Sequence, residues 1–316
     1  ELRMYSLLIL FTTLSMYMLY VANWKWYIIS AVLGLYTQPF MAFVILSQSV
    51  YLLFTKRLRT SIRNGICIAV LYIPWLPTLI TQFRASGPMW MYPVDLTLAT
   101  SALGNVLLGY EGTPGNLWWV MQLVSLLIII CAYLLWRKKS ERPVALFWLT
   151  WISMPLITVL AISLVKPIYV HRYVIYVTVA EVFLLAHFVL SINPRRYRLA
   201  FGGFILLLFL TVNFFTVAFH RKVPIRDTFK EINSLLKSED IVYAETPLVF
   251  YESLYYTRAG NQVYLYNPHR ITPPRYVGAG GMPETIWVSS PPQYPKRAFL
   301  VRENGQFYMM STLITN

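Results

Sequence analysis

Seven apolar runs, several of them joined by short loops crowded with lysine and arginine, decide what this chain can fold into. They lie at about 4–22, 27–54, 65–83, 116–136, 143–165, 170–192 and 199–219. A helix needs about 20 apolar residues to cross a bilayer, and most of these runs are that long. Hydrophobic residues fill 57% of the 316 positions and charged residues only 13%, which excludes an ordinary soluble domain. The sequence reads as a mostly α protein. Residues 1–219 form a polytopic transmembrane helical bundle, and residues 220–316 a small C-terminal α/β extracytoplasmic domain.

Charge divides the chain at the same place. Residues 1–218 hold sixteen Lys/Arg against five Asp/Glu, and residues 219–316 hold eleven against eight. The net charge of +14 sits largely in joints between apolar runs. Membrane lipids with anionic headgroups, or a phosphorylated substrate, are therefore the expected partners rather than nucleic acid. Both cysteines, Cys67 and Cys131, stand in apolar runs, so no disulfide framework is expected. The joints 56–63, 137–142 and 195–198 are strongly basic and are assigned to the cytoplasm. Two crossings separate each adjacent pair, so the parity agrees. Loops 84–115 and 165–171 and the tail then lie outside, in a multi-pass cytoplasmic-membrane protein.

The run 27–54 is long for one helix and short for two crossings. Pro39, in Thr37-Gln38-Pro39, interrupts it. If Trp24-Lys25-Trp26 is cytoplasmic, the run must leave and return as two short or re-entrant helices. Such pieces survive at membrane depth only inside protein or around a polar cavity. Glu1 and Arg3 are then on the outer side; a single crossing would put them in the cytoplasm. The first arrangement is preferred. Within 84–115, residues 95–109 read as an apolar helix capped by Asp95, too short to span and expected in the outer interface. In the tail, 226–237 and 248–256 have helical spacing, while 241–243 and 263–266 read as strands. Residues 299–301 and 307–310 flank Asn304-Gly305, a hairpin signal. Residues 267–297, rich in Pro and Gly, read as loop.

No phosphate-binding glycine loop, nucleophile-elbow serine or metal-binding Cys pair is present. The four histidines are scattered. No cofactor is assigned, and a divalent cation is left open. The charges worth attention stand at outer helix ends. Lys166, His171 and Arg172, followed by Tyr173, put two fixed cations and an imidazole on one short loop. Arg172 is read as the start of a helix, where the dipole favours anions and a guanidinium suits a phosphate. The bland alternative is snorkelling, which fits Lys166 alone better than Arg172. Glu1 and Arg3 at the mouth of the first run are either a weak local ion pair or a base beside a phosphate ligand. Glu181 and His187 lie inside an apolar run, Glu181 near its middle. Such groups default to a functional hypothesis, but a protonated Glu181 hydrogen-bonded to a neighbouring helix serves equally. Asp95 is a cap, and Glu111 in Tyr110-Glu111-Gly112 is a further candidate.

Taken in order, several segments resemble the GT-C superfamily of integral-membrane glycosyltransferases, in its bacterial family-39 or mannosyltransferase-like members. Glu1-Leu2-Arg3-Met4-Tyr5-Ser6-Leu7-Leu8 is similar to their Glu-x-Arg-x-Tyr-Ser-Leu-Leu opening. Gly34-Leu35-Tyr36-Thr37-Gln38-Pro39-Phe40 resembles Gly-Leu-Tyr-Thr-His-Tyr-Phe, with Gln38-Pro39 in place of His-Tyr, so no role passes from that histidine. Tyr72-Ile73-Pro74-Trp75-Leu76-Pro77 matches their Pro-Trp-Leu-Pro helix end, and Lys166-Pro167 with Arg172-Tyr173 their Lys-Pro…Arg-Tyr segment. The likeness continues through Ile225 to Asp240 and Tyr255-Tyr256. It implies a polyprenyl-phosphate sugar donor and a lipid, glycan or protein acceptor met at the outer face. Transfer would be by direct displacement. An acid of the first outer loop would be the principal base. The chain is read as starting after that loop, as a fragment or processed form lacking its N-terminal helices. Glu1 (supporting) and Arg3 would border the active cavity, Arg172, with Arg3, Lys166 and His171, would bind the donor phosphate, and Tyr5 and Tyr173 are further candidates. A non-enzymatic lipid-phosphate transporter is the main alternative, though a transporter should show paired broken helices in matching halves. A polysaccharide ligase or polymerase is the other.

Overall fold

The structure, a computed structural model, describes residues 4–85, 93–109, 113–216, 223–271 and 282–313. The chain divides into two compact units, Glu1–His220 and Arg221–Asn316. Ten helices make up the described part of the first. They are α1 (Tyr5–Tyr20), α2 (Trp24–Thr37), α3 (Met41–Phe54), α4 (Leu58–Tyr72), α5 (Leu76–Ala85), α6 (Leu96–Leu108), α7 (Trp118–Arg137), α8 (Arg142–Ser163), α9 (Val177–Leu190) and α10 (Arg195–Thr216). A 3-10 turn at Ile73–Trp75 joins α4 to α5. Among the described residues, four stretches are long and apolar enough to cross a membrane: Leu58–Thr81, Gly115–Arg137, Arg142–Ser163 and Arg195–Thr216. Helices α1, α3 and α9 are apolar but have only 16, 14 and 14 residues. At about 1.5 Å per residue each falls short of a hydrocarbon core about 30 Å thick.

The break expected at Gln38-Pro39 is present. Gln38 is extended at φ −157° and ψ 123°, α2 has ended, and α3 begins two residues after the proline. This reversal sets α3 between α1 and α8. Gln48 Nε2 donates to Ser15 Oγ at 2.8 Å, and Ser47 Oγ donates to the Thr150 carbonyl at 2.8 Å. Both contacts lie in the buried interior, where a polar group must find a partner.

Three boundaries differ from the sequence expectation. Helix α4 starts at Leu58, so Arg59 and Arg63 of the basic joint ride on its first turns. Helix α10 starts at Arg195, so the joint 195–198 is its opening turn. Helix α9 starts at Val177 rather than near 170. Helix α6 is capped as expected, with Asp95 Oδ1 accepting from Leu98 N at 2.7 Å. It also has a partner that the sequence did not suggest. It packs along α7, and also against α9, burying Leu98, Ser101, Ala102, Gly104, Asn105 and Val106. At Gly104 a Cβ would stand 2.0 Å from the Met121 carbonyl oxygen, so only glycine allows this approach. Its N–H donates to Ser125 Oγ at 2.8 Å.

The second unit carries α11 (Ile225–Leu235), β1 (Ile241–Ala244), α12 (Pro247–Tyr256), β2 (Gln262–Tyr266), β3 (Trp287–Val288), β4 (Ala298–Val301) and β5 (Phe307–Met310). The sheet order is β3-β2-β1-β4-β5, parallel except for the β4–β5 hairpin. Gly305 supplies the hairpin's positive φ of 78°. One face packs Val242, Leu265, Phe299 and Val301 against Phe229 and Ile232 of α11 and Val249 and Phe250 of α12. The other gathers Tyr243, Ala298 and Leu300, flanked by Tyr264 and Tyr266. Strand β4 is buried along its whole length, as a strand covered on both faces should be. The expected loop 267–297 contains β3, too short to leave a sequence signal; residues 272–281 lie outside the described set.

Asp240 locks the strand ends to α11. It is 4% exposed and accepts from Arg297 Nε at 3.0 Å and from Lys237 N at 2.8 Å. Burial pushes its carboxyl up, but the Arg297 and Lys237 contacts outweigh this and hold it below the ordinary carboxylate range. A carboxyl depressed in the folded state stabilises above its unfolded value, about 3.9, and loses that contribution as pH falls through the folded value. Acid titration of the whole protein, followed by tail-residue hydrogen exchange, should show the tail opening below about pH 4. Asp240→Ala should open it at neutral pH, at a cost of about 3 kcal/mol. In the helical unit, Gly104→Leu should lower the thermal midpoint in detergent far more than Gly203→Leu, where an added Cβ meets nothing within 4 Å.

Candidate functional site

The loop between α8 and α9 carries the cations singled out in the sequence. It leaves α8 at Ser163, whose Oγ accepts from Ile168 N at 3.2 Å. It then closes a short 3-10 turn over His171–Tyr173, with Tyr173 N bonded to the Val170 carbonyl at 2.9 Å. Arg172 therefore does not open α9, which begins five residues later. A three-residue turn has no helix dipole of consequence, so the anion argument from a helix start is withdrawn. What remains for Arg172 is its own guanidinium, 5.6 Å from the Tyr173 ring centre.

Aromatic contacts dock this loop. The Tyr173 ring lies 4.9 Å from Phe40, just past the Pro39 break, and 6.3 Å from Tyr5 in the first turn of α1. Tyr176, fully buried, donates its hydroxyl to the Phe40 carbonyl at 3.4 Å. Tyr169 is buried, and its ring is 5.4 Å from that of His171. Tyr5, Phe40 and the 164–176 loop thus meet at one end of the helical unit. At the other end, Lys138 Nζ bonds the Ser191 carbonyl at 2.9 Å, and His187 Nε2 meets Glu141 Oε2 at 2.8 Å.

The structure brings together Tyr5, Tyr173, Arg172 and His171. Lys166 is on the same loop, at its α8 side, with its N–H on the Ile162 carbonyl at 2.9 Å. Glu1, Arg3 and Glu111 lie outside the described residues. Among the described residues, no three His, Cys, Asp or Glu side chains cluster as a metal site would require. Sequence reasoning missed Phe40 and Tyr176 as docking residues and Glu141 as the partner of His187. The spacing Tyr169, Tyr173, Tyr176 was a usable signal for the first; nothing local signals the second. Glu181, placed near the middle of a longer run by the sequence, is in the second turn of α9 and close to this loop.

His171 is no longer a ready cation. Burial pushes its imidazole down to about 4, so it is neutral in the fold at physiological pH. The unfolded chain binds this proton near 6.5. Stability gained from the neutral form is therefore full above that value and declines as pH falls from about 6.5 to about 4. His171→Asn should flatten the pH dependence of the thermal midpoint across that window. An unchanged slope would show that another group titrates there. No family model matches the chain, and neither does any curated protein or solved structure.

Proposed function

We propose that this protein is a membrane glycosyltransferase that moves a sugar from a polyprenyl-phosphate donor to an acceptor at the extracytoplasmic face. The observation that carries this reading is the Tyr5–Tyr173–Phe40 cluster. It gathers, beside Arg172, three of the segments on which the resemblance to the GT-C enzymes rests. These are the opening of α1, the break after α2 and the Lys166…Arg172 loop. Their meeting at one end of the unit is also what two short helices over 27–54 require, and in this reading that end is the outer one. In the same reading the helices form a polytopic bundle and the tail domain is extracytoplasmic.

The chemistry needs two things. Cations must take the charge that develops on the departing phosphate, and a base must take the acceptor's proton. Arg172 and Lys166 are assigned to the phosphate, with Arg3 assigned there by the resemblance alone and His171 as a neutral donor. The acceptor hydroxyl attacks the anomeric carbon, the bond to the phosphate oxygen breaks, and the proton passes to a carboxylate. The resemblance gives that role to an acid of the family's first outer loop, with Glu1 supporting.

The test is a transfer assay on the protein in proteoliposomes, with a panel of polyprenyl-phosphate sugars. Arg172→Ala should cut turnover about 10- to 100-fold, the worth of a charge-assisted contact to phosphate, with expression unchanged. Near-normal turnover would remove Arg172 from the phosphate site. Failure of every donor in the panel would remove the reading itself.

A further inference from the structure

Glu181 is the one acid among the described residues whose carboxyl is buried inside the helical unit without a partner. It is 0% exposed, and neither carboxyl oxygen meets a hydrogen-bond partner there. Tyr169, 5% exposed, stands on the 164–176 loop. Its hydroxyl is also unpartnered and lies within electrostatic reach of the carboxyl. The helices packed on α9 are α6, α7, α8 and α10. Their charged residues are Arg137, Arg142, Arg195, Arg196 and Arg198, all at the end of the unit remote from Glu181. On α9 itself the other titratable group is His187, engaged with Glu141. On the loop, Lys166 and Arg172 have other interactions, and His171 is neutral.

An ionised carboxylate in that setting would be uncompensated, so the group is carried as the acid. Even the acid leaves an O–H donor and a C=O acceptor to be satisfied, and the phenol adds a third group. Buried polar atoms are rarely left so. A single water can serve all three, since buried waters commonly make about three hydrogen bonds. The acid O–H and the phenol O–H each donate to the water oxygen, and the water donates back to the carboxyl C=O.

We propose that Glu181, as a neutral carboxylic acid, and the Tyr169 hydroxyl share one bound water, and that this bridge pins the 164–176 loop, with His171 and Arg172, onto α9. Glu181 is then a positioning residue for the cation loop. Its effect on turnover rests on the transferase reading; its protonation and its hold on the loop do not.

The experiment uses the full-length protein in lipid nanodiscs, as wild type, Glu181→Gln, Glu181→Leu and Tyr169→Phe. Infrared spectra at neutral pH should show the C=O stretch of a protonated carboxyl, absent in Glu181→Gln and shifted in Tyr169→Phe. Hydrogen exchange of residues 168–174 should speed up at least tenfold in Glu181→Leu and Tyr169→Phe. It should stay near wild type in Glu181→Gln, whose amide replaces the acid's donor and acceptor. Where a donor is turned over, activity should follow the same order. A missing protonated-carboxyl band overturns the proposal. So does equal loss in Gln and Leu variants, which would mean that a carboxylate is needed, or wild-type exchange in all three. If Glu181→Leu does not fold, Tyr169→Phe decides the loop arm alone. If no sugar is transferred by any protein, the spectra and exchange still decide, and only the transferase reading fails.

Discussion

The geometry of the helical unit hangs on the nitrogen of Pro39, which carries no proton, and on a ring that clashes with the preceding turn. The residue before a proline is driven to extended backbone, and Gln38 obeys at φ −157°. Without this break, residues 24–54 would make a single rod about 46 Å long. With it, α3 returns alongside α1 and α8, and Phe40 stands at the reversal. Its carbonyl takes the Tyr176 hydroxyl and its ring faces Tyr173. The loop that carries Arg172 is thus seated on the chain's own proline break.

Between the helices, short polar side chains hold what apolar surface cannot. Once helices are surrounded by lipid, burying leucine against leucine gains little, and small residues and hydrogen bonds set which helices meet. Ser15 with Gln48, Ser47 with the Thr150 carbonyl, and Thr178 with the Val106 carbonyl tie α1 to α3, α3 to α8 and α9 to α6. Each such bond is worth about 0.6 kcal/mol, so they select partners more than they stabilise the whole. The two ends of the unit are built differently. Aromatic rings close one, and histidine–carboxylate and lysine contacts close the other.

Much of this was legible in the sequence, and the exceptions have physical causes. The runs, the proline break, the Asp95 cap and the Asn304-Gly305 hairpin follow from hydropathy and local sterics. The start of α9 does not, because Val170, Val174, Ile175 and Tyr176 are as apolar in a buried loop as in a helix. That error carried over to the site: Arg172 was given a helix dipole that the 3-10 turn lacks, and Glu181 was put deeper than it lies. The pairing of α6 with α7 had a trace in Gly104 beside Ser101 and Ala102, but a small-residue stripe does not say which helix it faces. Glu141 and His187 are 46 residues apart, a separation at which only the fold decides contact. Phe40 gave no sign of docking a loop whose tyrosines follow more than 120 positions later.

The sheet of the tail has a consequence for how it comes to be made. Strand β1 is central, and it pairs on one side with β2 and on the other with β4, whose residues follow it by 57 positions. Loops of that length close slowly, and parallel pairing depends on them. Helices of the first unit can form locally as each leaves the ribosome, at about 5–20 residues per second. For several seconds after its own synthesis, β1 has a bare edge, and only α11, α12 and β2 stand near it. The acid that ties α11 to the strand ends, Asp240, waits through the same interval for Arg297. The tail is thus a late-maturing part of a chain whose apolar helices can already be in place.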